Sequence, residues 1–206
     1  RTAPVLLLVV DGLSCAILQE LGEDLATRGW IAMQPAGDSA RADVYLALAM
    51  IPSVTEWSRA SLLTGKRVQG GQSVEKAASA SHPAPLEASR PKKPPRLFHK
   101  ADRDDGRNGL DEALREALLA PEQQVVGVVV NAVDDFLLKS DQIRLRWAVE
   151  TIRNLDAILE LARSAGRAVI VTGDHGHVLE TGTKQRAGSG SDRWRADDGN
   201  IGEGEI

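Results

Sequence analysis

The sequence predicts an α/β domain, a three-layer αβα sandwich built on a mainly parallel sheet. Aliphatic runs of strand length alternate with segments of helical periodicity, and acidic or polar residues follow several of the runs directly. Such alternation is typical of strands covered on both faces by helices. Because ligands of open α/β sheets bind at the carboxyl ends of the strands, these polar residues are the candidate functional groups.

Length and composition predict a single domain over residues 1–206, large enough for one substantial core. The formal net charge is −4, and no apolar run is long enough for a membrane span, so no membrane partner is expected. The single Cys15 permits no internal disulfide and fits a reducing, cytoplasmic compartment. Because the chain lacks an initiator Met and a closing element, we expect it to be a fragment of a longer protein.

The first predicted unit is a strand followed by a helix. Residues 4–10 are almost continuously aliphatic, which indicates a buried strand, and Asp11 follows at its carboxyl end. Ser14 is placed to cap a helix that stops at Gly29. Asp11 is therefore a candidate ligand at the functional edge, with turn formation before the helix as the alternative.

A second apolar run, Val44–Ile51, predicts another core strand, and the helix after it closes near Gly65. Thr55 is expected at the N-cap of that helix. Capping alone explains a Thr there, but free N–H groups and the positive end of the helix dipole also favour a phosphate and a Thr alkoxide. Arg59, one turn on, is a candidate for binding phosphate oxygens, with pairing to Glu56 or solvent exposure as the alternative.

Residues 66–95 are predicted to be a flexible linker or insertion, because they are rich in Gly, Ser, Ala and Pro and lack periodicity. Their basic cluster, 90–96, supports nucleic-acid contact only weakly in a net acidic chain. His82 and His99 are interpreted as bystanders rather than ligands. A short strand is expected at 96–100.

A third unit follows this segment. The spacing of apolar residues from Leu110 to Leu118 predicts an amphipathic helix. Val125–Val130 is then a third buried strand, which brings Asp134 and Asp135 to the same carboxyl edge.

The last unit begins with a long helix predicted from about Asp141 to Gly166. The strand that starts at Ala168 is followed by three candidate ligands, Asp174, His175 and His177. Carboxylate oxygen beside imidazole nitrogen suits a zinc-like divalent cation. With the hydroxyl of Thr55, these groups are the components of a one- or two-metal hydrolytic site for phosphoryl transfer.

Four segments resemble the alkaline phosphatase superfamily and, within it, the PglZ domain of bacterial phage-defence systems. They occur in the superfamily's order and are Val9–Gly12, Pro52–Gly65, Asn131–Asp135 and Val171–His177. Two segments of the tail, Arg193–Arg195 and Gly202–Glu205, also look like PglZ sequence. The resemblance covers most of the chain except residues 66–95 and implies an alkaline-phosphatase-like core.

The resemblance implies roles for individual residues. Asp11, Asp174 and His175 would bind one metal ion, Thr55 would be the nucleophile touching both ions, and Asp134 would belong to the second ion. Related phosphodiesterases carry an Asn three residues after the Thr. Ser58 stands there in this chain, so the neighbouring Arg59 is the candidate replacement.

Two functions follow from the resemblance. The first is a metal-dependent phosphoester hydrolase, acting on a phosphodiester, with nucleic acid as the substrate that the defence context suggests. The second is a catalytically degenerate scaffold that assembles other defence proteins, which look like a methyltransferase and a large ATPase in related systems. The scaffold is motivated by Leu138, which stands four residues after Asp134 where relatives have a metal-binding His, a gap that His177 is a candidate to fill.

Overall fold

A parallel sheet with helices on both faces forms the frame that positions the candidate site. The computed structural model describes residues 3–33, 45–103, 109–137, 146–177, 190–191 and 194–195. Within these ranges the main sheet has four strands, β1 (Val5–Val10), β2 (Arg96–Phe98), β3 (Val125–Val130) and β4 (Ala168–Gly173). Their order is β2-β3-β1-β4, and every pairing is parallel. The predicted α/β sandwich is therefore confirmed.

The helices cover the sheet on both sides. Their bounds are α1 (Cys15–Thr27), α2 (Thr55–Thr64), α3 (Gln72–Ser81), α4 (Pro83–Glu87), α5 (Lys100–Arg103), α6 (Glu112–Leu119), α7 (Ala132–Leu137) and α8 (Leu155–Ser164). A 3-10 turn lies at Val149–Thr151, and a separate antiparallel pair is formed by β5 (Gly190–Ser191) and β6 (Trp194–Arg195). Among the described residues, no helix combines the length and apolarity needed to cross a membrane.

Alternate side chains of β1 enter two cores. Leu6, Leu8 and Val10 pack into the larger one, which includes the buried faces of α1, α6 and α8. Val9 faces the other side and packs in a smaller cluster with Leu63 of α2. Because β1 is central and buried on both faces, its near-continuous aliphatic sequence is the pattern expected of a parallel strand.

The register of the sheet aligns the ends of its strands. Val10 of β1 pairs with Val130 of β3 and with Gly173 of β4. The next residue along each of these three strands is polar: Asp11, Asn131 and Asp174. Three side chains that are far apart in sequence are thus brought to one level at the carboxyl edge.

The predicted strand at Val44–Ile51 is wrong over the described residues 45–51, which contain no strand. Leu46 and Leu48 are exposed, Leu48 completely at 100% relative accessibility. A run of apolar residues indicates hydrophobicity, whereas a strand also requires backbone hydrogen bonds to a neighbouring strand. This segment pairs with neither β2 nor β4.

Two further expectations differ from the structure. Residues 66–95 carry α3 and α4, and α3 contacts both α2 and β2. The described part of the helix expected from Asp141 to Gly166 is broken, because Asn154 adopts a left-handed conformation with φ of 63° directly before α8. Asn tolerates that conformation, and the apolar residues on either side still face one core, so periodicity does not reveal the break.

Candidate metal and phosphoester site

Asp11 lies at the centre of the site, buried directly after β1 with 2% of its surface exposed. Its Oδ2 accepts a hydrogen bond of 2.7 Å from Asn131 Nδ2 and another of 2.7 Å from Arg59 Nη1. Its Oδ1 points the other way, 3.2 Å from His175 Nε2 and 3.2 Å from Thr55 Oγ1. The two oxygens of Asp11 therefore have different surroundings. Oδ2 accepts hydrogen bonds from two side chains, and Oδ1 faces the other candidate ligands.

Asp174 follows β4 and is held by the backbone. Its Oδ1 accepts from the N–H of Gly12 at 3.3 Å and from the N–H of His175 at 3.0 Å. Its Oδ2 is buried and has no hydrogen-bond partner among the residues that the structure describes. The loops after β1 and β4 pack closely here, because a Cβ on Gly173 would lie 2.8 Å from the Leu13 carbonyl oxygen.

His175 is oriented by the loop after β4. Its Nδ1 lies 2.9 Å from the carbonyl oxygen of Gly176, so this nitrogen carries the proton and donates it. In the neutral ring Nε2 is then unprotonated, which is the form that a metal ligand requires. Nε2 faces Asp11 Oδ1, and Asp174 Oδ2 lies 3.7 Å away from it.

Thr55 is the first residue of α2 rather than its N-cap, so the predicted capping role is wrong. Val54 occupies the N-cap and makes no side-chain capping bond. The Thr55 hydroxyl instead lies 3.2 Å from Asp11 Oδ1 and 3.1 Å from His175 Nε2. Its position at the start of the helix places it beside the free N–H groups of the first turn.

The possible ligand atoms of this cluster converge. Asp11 Oδ1, Asp174 Oδ2 and His175 Nε2, which is unprotonated in the neutral ring, lie together beside the Thr55 hydroxyl. Ligand atoms of Asp11, Asp174 and His175 all lie within 4.8 Å of one another, and all three residues are buried. Two hard oxygens and one imidazole nitrogen, with an unsatisfied buried oxygen among them, fit a divalent cation.

The electrostatics agree with this description. Burial and the charge of Asp11 raise the pKa of Asp174 to about 7. Burial also opposes ionisation of Asp11, but the hydrogen bond to His175, which requires a proton on Nε2, and the charge of Arg59 outweigh it and lower the pKa of Asp11. Without a cation, then, the pair keeps one proton near neutral pH, on Asp174. A bound cation would displace that proton.

Arg59 is buried, with 6% of its surface exposed, so the alternative of solvent exposure or pairing with Glu56 is wrong. Its Nη1 binds Asp11, and its Nε donates to Glu75 Oε1 at 3.0 Å. The guanidinium thus lies behind the carboxylate of Asp11, and contact with a phosphate stays a prediction.

The remaining predicted residues lie around this cluster. His177 is next to it, with Nδ1 at 3.2 Å from the Gly12 carbonyl oxygen. Asp134 and Asp135 fall on α7, directly after β3, and their side chains lie outside the described part of the structure. Leu138 and the tail segments Arg193 and Gly202–Glu205 are outside it as well.

Three residues that contact the site or support it were not predicted from sequence. Asn131 could have been predicted as a site residue from the sequence, because it directly follows β3 as Asp11 directly follows β1. Glu75 could not have been predicted in this way, because it lies in a segment whose sequence lacks periodicity. His99, interpreted as a bystander, is buried and its Nε2 lies 2.6 Å from Glu75 Oε2.

A parallel α/β sheet with carboxylates, an imidazole and a hydroxyl at its carboxyl edge defines an alkaline-phosphatase-like class of protein. The chain belongs to the family described as the BREX system PglZ alkaline phosphatase-like domain, whose family model matches residues 2–199. No curated protein and no solved structure gives a match. The resemblance stated from the motifs is confirmed. Family membership implies other proteins of the BREX phage-defence system as partners, and the superfamily usually binds divalent metal ions.

Proposed function

We propose that this domain is a metal-dependent phosphoester hydrolase, acting on phosphodiesters, with Thr55 as the nucleophile and zinc as the ion. One observation carries the proposal: the Thr55 hydroxyl lies within 3.2 Å of both Asp11 Oδ1 and His175 Nε2, which are ligand atoms of the candidate cation site. A hydroxyl in that position is surrounded by groups that favour its alkoxide once a cation is present.

Asp11, Asp174 and His175 would hold the ion. When bound, a divalent cation lowers the pKa of a neighbouring hydroxyl and stabilises negative charge on phosphoryl oxygens. Asp11 contributes Oδ1, because its Oδ2 is engaged by Arg59 and Asn131. Asp134 and Asp135 are the candidates for a second ion, with His177 as the candidate imidazole.

In this proposal Thr55, in the first turn of α2, attacks phosphorus as the bond to the leaving alkoxide breaks, and water then hydrolyses the phosphothreonine and restores the hydroxyl. The free N–H groups and the dipole of this 10-residue helix favour an anionic phosphate at that end. The Thr55 hydroxyl, 3.2 Å from Asp11 Oδ1, would lose its proton to solvent once its pKa is lowered by the cation. His175 keeps Nε2 unprotonated by donating from Nδ1 to the Gly176 carbonyl.

The test is hydrolysis of bis-p-nitrophenyl phosphate by the zinc-loaded domain, followed by release of p-nitrophenolate. Thr55→Val removes the hydroxyl but preserves the shape, and we expect activity to fall by at least about 10³-fold. Thr55→Ser retains a nucleophile and should keep measurable turnover. Chelation of the metal should abolish activity in the wild-type domain.

The matched control is Thr64→Val, which changes a Thr at the other end of the same helix. The Thr64 hydroxyl bonds to local backbone atoms of Ser61 and Lys66, so activity should be unchanged. If a folded, zinc-loaded domain turns over none of a panel of phosphomonoesters and phosphodiesters, including single-stranded and double-stranded nucleic acid, the hydrolase proposal is wrong.

A scaffold function is the second candidate, favoured by Leu138 in place of the expected imidazole and by the engagement of Arg59 with carboxylates. The proposed partners are a methyltransferase and a large ATPase, in the cytoplasm. Co-purification of these partners with Asp174→Ala, at wild-type yield, supports the scaffold. Loss of phage resistance in Thr55→Val, with partner binding intact, contradicts it.

A further inference from the structure

Behind the candidate cation site lies a buried chain of hydrogen-bonded side chains, two of which, Glu75 and His99, have no predicted role. It runs from Asp11 through Arg59 to Glu75 and ends at His99. Glu75 and His99 are almost completely inaccessible, with 0% and 1% of their surfaces exposed. Charges are costly to bury, so an arrangement of this kind persists only where each group is paired.

The contacts join three elements of the fold. Arg59 on α2 bridges Asp11 Oδ2 and Glu75 Oε1, at 2.7 Å and 3.0 Å. The other oxygen of Glu75, on α3, lies 2.6 Å from Nε2 of His99, just after β2. Both oxygens of Glu75 are thus bonded, and the guanidinium of Arg59 is held between two carboxylates.

The guanidinium has two opposite effects on a cation at Asp11. By binding Oδ2 it fixes the carboxylate so that Oδ1 faces His175 and Thr55, and this favours coordination through one oxygen. Its positive charge, however, would repel a cation on the other side of the same carboxylate. Glu75, in direct contact with Arg59, offsets that charge while keeping the guanidinium in position.

We propose that Glu75, acting through Arg59, is a positioning residue for the metal ligand Asp11, and that its negative charge preserves the site's affinity for a divalent cation. The inference rests on the proposed metal site and adds a residue, outside the four motifs, on which that site depends. His99 fixes the orientation of Glu75 by binding its second oxygen. The segment containing α3, predicted to be a flexible linker or insertion, thereby becomes part of the functional unit.

The test is zinc affinity, measured by calorimetric titration of the metal-free domain at a temperature where circular dichroism shows each variant to be folded. Glu75→Gln keeps the size and an acceptor but loses the charge, and we expect zinc to bind about 10- to 100-fold more weakly. Arg59→Lys, which cannot reproduce both contacts of the guanidinium, should also weaken binding and serves as the second variant.

Arg167→Lys is the matched control, since Arg167 is another buried arginine, 4% exposed, that within the described part of the chain binds only backbone carbonyls. It should lose stability without losing zinc affinity.

If wild-type protein binds no zinc, the proposed metal site itself is wrong and the inference is wrong with it. If wild-type binds zinc and Glu75→Gln binds it within about twofold, the inference is wrong while the proposed function stands. If Glu75→Gln does not fold, Arg59→Lys decides by the same criterion.

Discussion

Replacing Asp174 by Asn should stabilise the metal-free domain while abolishing its metal binding. Within the described residues, Asp174 Oδ2 is buried without a hydrogen-bond partner, next to the ionised Asp11 and 3.7 Å from Nε2 of His175. An Asn side chain keeps the oxygen that accepts from Gly12 and His175, and it places an NH₂ donor where the acceptors converge. The substitution therefore removes the repulsion that, in the wild-type domain, a cation would relieve.

The size of the effect follows from the pKa of Asp174, which rises from 3.8 to about 7 because of burial and the charge of Asp11. The folded state keeps this proton up to about pH 7, whereas the unfolded chain loses it near 3.8. Stability therefore falls as pH rises between these values, by about 1.4 kcal/mol per pH unit. The total is roughly 4 kcal/mol by pH 8, so we expect Asp174→Asn to be more stable than wild type there by about 2 to 4 kcal/mol.

The assay is guanidinium unfolding in EDTA at pH 5 and pH 8, for wild type and variant. The difference between the two proteins should be larger at pH 8, and taking the difference cancels other titrating groups. Asp24→Asn is the contrasting control. The hydrogen bond from the Val149 N–H lowers the pKa of Asp24, so its contribution to stability is present above the unfolded pKa and disappears as pH falls. An Asp174→Asn domain that is less stable than wild type at pH 8 without metal would refute the reasoning.

Three further predictions concern the frame of the site, and each is checked by urea unfolding. Arg167→Ala should lower the free energy of unfolding by about 3 kcal/mol or more, because the guanidinium donates to the carbonyls at the end of α6 and these would be left unsatisfied. An effect under about 1 kcal/mol would contradict this. Gly173→Ala should destabilise by at least about 1 kcal/mol and weaken zinc binding, because the new Cβ would meet the Leu13 backbone at 2.8 Å. Leu8→Ala should cost about 2 to 5 kcal/mol, whereas Leu48→Ala should change stability by less than about 0.5 kcal/mol, since Leu8 is 1% exposed and Leu48 is 100% exposed.

The sequence was sufficient for elements whose local pattern and final surroundings agree. β1 and β3 are buried on both faces, so their unbroken aliphatic runs mark them without knowledge of the fold. Ser14 caps α1 as predicted, because capping is a contact between neighbours in the chain. The run at 45–51 has the same apolar character but pairs with none of the described strands, and only the tertiary structure distinguishes it from a strand.

The candidate site also combines features that the sequence predicts with features that only the tertiary structure reveals. Asp11, Thr55, Asp174 and His175 were predicted as one constellation because each was assigned to the end of a strand or the start of a helix. The structure brings each of them within 4 Å of another. Their proposed chemical roles remain predictions.

By itself the sequence determined strands β1, β3 and β4, helices α1, α2 and α6, the residues at those strand ends and the family to which the chain belongs, since each has a local sequence pattern. The tertiary structure decided which oxygen of Asp11 faces the cluster, which oxygen of Asp174 is left without a partner, and that Glu75 supports Arg59. These depend on the parallel register of three strands and on the packing of α3 against α2 and β2. Contacts between segments so distant in sequence have no local signature, because they arise only when the sheet forms.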